Sequence, residues 1–86
     1  MTHTDTINRT GPIPIYEQIA AILRAEIEGQ PPGTRVPSEP DLMERFGVAQ
    51  ITARRAHRLL AEEGLVEIIK GRGTFTLGPV PAEAAQ

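Results

Sequence analysis

Arg54, Arg55 and Arg58 stand close together in the chain, and Lys70 and Arg72 follow a short way on. No acidic residue lies between Arg45 and Glu62. Cationic groups gathered in this way bind anions, and the planar fork of arginine also matches the two acceptors on a guanine edge. The bland alternative is a solvated charged face. A generic surface helix, however, mixes signs for i,i+4 support, and this stretch does not. Other groups offer less. Ser38 has no histidine near it in sequence and reads as a helix cap. The carboxylate pairs Glu39/Asp41 and Glu62/Glu63 fall in a capping turn and at a helix end. His3 and His57 lie far apart and lack metal-ligand spacing. The chain has no cysteine, which excludes disulfides, thiolate metal sites and thiol nucleophiles. Catalysis is not expected, nor is a metal or a cofactor.

The net charge of −2 argues against a nucleic-acid partner only until it is divided along the chain. Residues 1–44 hold three basic and seven acidic groups, and residues 73–86 hold a single acid. Residues 45–72 hold six basic and three acidic groups, leaving +3 where the arginines are. At 86 residues the chain is one small domain with a modest core. No apolar run approaches the roughly 20 residues of a membrane span.

The elements that must position these side chains follow from periodicity. Ile15, Ile19, Ile22, Leu23 and Ile27 recur at helical steps after Pro14, and Gly29 with Pro31 and Pro32 closes that helix. Thr34 to Val36 reads as a very short extended piece. A second helix starts at the cap Ser38, with Asp41 in capping-box spacing, Pro40 in its first turn and Gly47 at its end. Leu42, Met43 and Phe46 are its inward side. A third helix spans about 49–63, so close behind the second that the two must cross sharply, as in a helix-turn-helix. On its wheel Thr52, Ala53, Ala56, Leu59 and Leu60 share one arc, while Ile51, Arg54, Arg55 and Arg58 share nearly the opposite one. Residues 65–69 and 74–77 alternate as two strands around the turn 70–73. The predicted fold is mainly α with a small β-hairpin: a winged helix-turn-helix of three helices and a two-stranded wing. It occupies 12–77, between a flexible arm at 1–11 and a tail or linker stub at 78–86.

Residues 14–76 resemble the DNA-binding domain of GntR-family bacterial transcription regulators. The resemblance rests on Pro-Ile-Tyr-Glu-Gln (14–18), Pro-Gly-Thr-Arg-Val-Pro-Ser-Glu (32–39), Phe46-Gly47-Val48, Thr52 with Arg54, Glu63-Gly64-Leu65 and the wing Gly71-Arg72-Gly73-Thr74-Phe75. The wing and the tyrosine in the opening are similar to the HutC-like branch. The family implies that the third helix enters the major groove of double-stranded DNA and that the wing reaches the adjacent minor groove. By position, Thr52 and Arg54 carry over as DNA contacts, with Arg54 suited to guanine and Thr52 to a phosphate or a thymine methyl. Lys70, Gly71 and Arg72 carry over as wing contacts. Gln50, Ile51, Arg55 and Arg58 complete the expected DNA-facing set.

Several positions depart from the family pattern. Ala49 stands where Ser or Thr usually caps the third helix, which removes a cap worth about 1 kcal/mol and a phosphate ligand. Gln50 replaces a common Arg and is able to read adenine. Pro40 replaces a basic residue, and His57 replaces a buried Leu and reads as a satisfied, half-buried core histidine. DNA binding weaker than that of a typical relative is expected.

The resemblance implies a sequence-specific transcription regulator, a repressor, acting in the bacterial cytoplasm at the nucleoid and not at a membrane. The chain stops about ten residues past the wing, so no effector site is expected in it. It reads as the DNA-reading part of a two-part regulator, whether stand-alone or a fragment. A monomer or weak dimer in solution, pairing on DNA, is expected. The alternative is a protein-interaction module that antagonises or pairs with a full-length relative.

Overall fold

The computed structural model describes residues 7–77. Helix α1 spans Ile15–Ile27, with the Pro14 carbonyl accepting from the amides of Glu17 and Gln18. It presents Ile19, Ala20 and Leu23 to the core, fully buried. Ile15, Ile22 and Ile27, on the apolar face read from the sequence, are only partly buried around them. The small Ala20 is buried with Ala53 and Ala56 of the third helix.

Helix α2 spans Glu39–Phe46. Its capping box is complete: the Asp41 amide donates to Ser38 Oγ at 3.2 Å, and the Ser38 amide donates to Asp41 Oδ2 at 3.0 Å. The Asp41 carboxyl lies below its ordinary 3.8, first because it accepts from the Ser38 backbone and then from the Ser38 side chain. Gly47 ends the helix at φ +65, the left-handed region that glycine enters without a Cβ penalty. Helix α3 follows at once, Gln50–Glu62, and Ala49 at its N-cap makes no side-chain cap bond.

Strands β1 (Val66–Ile69) and β2 (Gly73–Thr76) pair antiparallel, with Val66 opposite Thr76 and Ile69 opposite Gly73. The short extended piece at 34–36 joins the outer edge of β2. Val36 N donates to Thr74 O at 2.8 Å, Thr76 N donates to Thr34 O at 2.8 Å, and Arg35 bridges Phe75. The inward residues of β2 are Thr74 and Thr76, each 4% exposed, not the larger Phe75 and Leu77. Their hydroxyls are satisfied. Thr76 Oγ1 donates to Pro31 O at 2.8 Å and accepts from Thr34 N at 2.9 Å.

His57 is more buried than the sequence suggested, at 3% exposed instead of half-buried. Its Nε2 donates to the Pro37 carbonyl at 2.8 Å, because a carbonyl only accepts, which leaves Nδ1 for the Thr74 hydroxyl at 3.3 Å. A polar pin therefore joins α3, the lead-in to α2 and the wing.

Part of the expected arm carries contacts. Ile7 packs against the core, Asn8 N donates to Gln18 Oε1 at 2.6 Å, and the Arg9 guanidinium donates to the Phe46 carbonyl at the end of α2. Residues 1–6 of that arm and the tail at 78–86 lie outside the described residues. Among the described residues no helix is long and apolar enough to cross a membrane.

Candidate nucleic-acid interface

The wheel reading of α3 holds in three dimensions. Ala53, Ala56, His57 and Leu60 are buried, while Gln50, Ile51, Arg54, Arg55 and Arg58 are exposed. Ile51 is 62% exposed, a large apolar side chain left on the surface amid polar neighbours. Thr52 lies between the two sides and is half-buried. Lys70, Gly71 and Arg72 are exposed at the wing turn, where the Arg72 amide donates to the Ile69 carbonyl at 2.9 Å. Gly71 has φ +81, which lets the turn close with a bare backbone edge outward.

The helix and the wing are brought together. A cleft of about 640 Å³ is lined from α2 and α3 by Glu39, Arg54 and Arg58 and from the wing by Lys70 and Gly71. Arg58, Lys70 and Arg72 make no ion pair or side-chain hydrogen bond among the described residues. Their charge is therefore directed at solvent.

Two arginines of the expected set have intramolecular partners. Arg54 Nε lies 3.2 Å from Glu39 Oε2, and its Nη2 lies 3.5 Å from Glu39 Oε1. Gln50 Nε2 donates to the same carboxylate at 2.9 Å. The Gln50 hydrogen bond, then the bond and charge of Arg54, hold the Glu39 carboxyl below 4.5 against the opposing effect of burial. Arg55 points toward α1, its guanidinium 5.9 Å from the centre of the Tyr16 ring, within cation–π range.

The charge map needs one revision. Arg45, counted in the positive segment, pairs with Glu26 of α1 and lies over the Phe46 ring at 4.9 Å. It belongs to the α1–α2 junction and not to the cleft. Arg35, outside that segment in sequence, lies beside the wing with its guanidinium 6.0 Å from the Phe75 ring centre. Glu39 and Tyr16 are the residues that the sequence reading did not link to this face. Glu39 read as a capping-turn carboxylate, and its tie to α3 crosses fifteen positions with no periodic signal.

The family model described as "Bacterial regulatory proteins, gntR family" matches residues 15–76. The HTH-type transcriptional repressor NagR of Bacillus subtilis is 42% identical over 82 residues, covering 93% of this chain and 34% of that protein. The histidine utilization repressor of Klebsiella aerogenes, a HutC-type relative, is 37% identical over 73 residues, covering 83% of this chain and 30% of that protein. The chain thus spans about a third of the length of these curated relatives. Among solved structures, the AraR DNA-binding domain in complex with operator ORX1 superposes with a TM-score of 0.72 at 32% identity, covering 80% of this chain and 92% of that one. A winged fold, an arginine-bearing third helix and a family match over nearly all of the described residues agree, and the chain belongs to the gntR family of bacterial regulatory proteins.

Proposed function

We propose that this chain is the DNA-reading domain of a transcription regulator that acts as a repressor in the bacterial cytoplasm. The observation that carries the reading is the cleft in which Arg58 and Lys70 leave their charges unpaired beside Arg54, with the exposed Arg72 at the wing turn next to it. Unpaired cations on one face displace the counterions of a duplex, and that release drives binding. The N-terminal half of α3 enters the major groove, where Gln50 and Arg54 meet base edges and Thr52 meets a phosphate or a thymine methyl. Ile51, exposed at the same end, makes apolar contact with a thymine methyl. Lys70, Gly71 and Arg72 meet the adjacent minor groove, with Arg55 and Arg58 at the flanking backbone. The relatives' names and the operator complex of AraR support this reading.

The test is selection of bound duplexes from a random pool, followed by a salt titration on the selected duplex. A consensus should emerge, and affinity should fall by orders of magnitude between about 50 and 200 mM salt. Enrichment of no duplex at low salt would sink the reading and favour a protein-interaction module.

A further inference from the structure

We propose that Glu39 is a positioning residue for base recognition, gripping Arg54 and Gln50 together so that their outward edges reach the bases pre-aimed. The proposal rests on the DNA-reading function above and adds a residue that is itself acidic and therefore unexpected at a phosphate-facing surface.

The geometry assigns each proton. Arginine has five N–H donors. Glu39 takes the side-on pair, from Nε at 3.2 Å and Nη2 at 3.5 Å. Both Nη1 protons and the second Nη2 proton remain, and they form the end-on fork that matches guanine O6 and N7. A carboxylate only accepts, so the Gln50 amide must turn its NH2 to Glu39, where Nε2 lies at 2.9 Å. One N–H and Oε1 stay free, the pair that adenine N7 and N6–H require. The grip therefore leaves both reading edges open.

Glu39 is itself well placed to hold. It is the first residue of α2, directly after the cap Ser38, and its side chain is only 23% exposed. The helix N-terminus favours its negative charge. Holding two long side chains before binding lowers the ordering cost on the DNA. The same carboxylate repels phosphates wherever the bases fail to match, which lowers non-specific affinity and sharpens discrimination.

The experiment compares the 86-residue chain with Glu39→Gln and Glu39→Asp, each checked for folding by circular dichroism. Duplexes are selected from a random pool at about 50 mM salt, and affinities are then measured for the selected duplex and a scrambled one. Both variants should lose about tenfold on the selected duplex, keep or gain affinity for the scrambled one, and broaden the base preference. In an Arg54→Ala background, Glu39→Gln should cause no further broadening at the base pair that Arg54 reads. An unchanged consensus and an unchanged ratio of selected to scrambled affinity in both variants would overturn the proposal while leaving the DNA reading intact. So would Glu39→Asp behaving like the unmodified chain, because charge alone, without reach, would then suffice. Enrichment of no duplex by the unmodified chain would overturn the DNA reading and this proposal with it.

Discussion

Arg54 and Arg58 sit one turn apart on the exposed side of α3, yet they meet different surroundings. Arg54 is held by Glu39, and Arg58 faces only solvent. Their contributions to binding should separate accordingly. Arg54→Ala should weaken the selected duplex by about 1–3 kcal/mol and relax preference at one base pair, as read by repeating the selection. Arg58→Ala and Arg72→Ala should weaken all duplexes alike and reduce the salt slope by about 1 each, as read by fluorescence anisotropy across a salt series. The arginine side was legible from periodicity, because a helix of alternating burial fixes which side chains face out. The partners of those arginines were not. Glu39 and Tyr16 reach α3 only through the crossing of α2 and α1, and no spacing in a linear sequence encodes that approach.

The two ends of the helix-turn-helix are capped unequally. Helix α2 has a full capping box, while α3 begins at Ala49 with no side-chain bond. Ser38→Ala should therefore lower unfolding stability by about 1 kcal/mol, and Ala49→Ser should raise it by about as much, both measured by urea denaturation. The Asp41 carboxyl adds a pH dependence. Its native pKa is depressed below the ordinary 3.8, so its contribution is present above that value and is lost as pH falls through the native one. A pH series of melts should show that loss in the unmodified chain and a diminished one in Asp41→Asn. At this scale the sequence was a good guide. The helices and strands lie within a residue or so of their predicted bounds, because caps, glycines and period are local signals. The wing's inward side was less legible. Threonines occupy it because the Thr76 hydroxyl meets the Pro31 carbonyl and the Thr34 amide while the Thr74 hydroxyl meets the His57 ring, partnerships formed only on folding.

For the molecule as a whole, the described residues form one buried cluster in which α1 and α3 contribute Ile19, Ala20, Leu23, Ala53, Ala56 and Leu60 and the hairpin adds Val66. One such module meets DNA over only about 600–1,000 Å², a small area for pairing. Sedimentation should find a monomer in the absence of DNA, and a tight dimer there would contradict the expectation. The extended piece at 34–36 bears on how the molecule is made. Thr76 reaches back across 42 positions to Thr34, and across 45 to Pro31. Contacts so distant in the chain carry a loop-closure cost and form late. During synthesis, then, α1, α2 and α3 can emerge and associate, but the edge at Gly33–Val36 keeps open backbone groups until β2 has left the ribosome. A released chain cut short just before Thr76 would keep its helices yet be unsealed, exposed to proteases at the loop that the last strand closes.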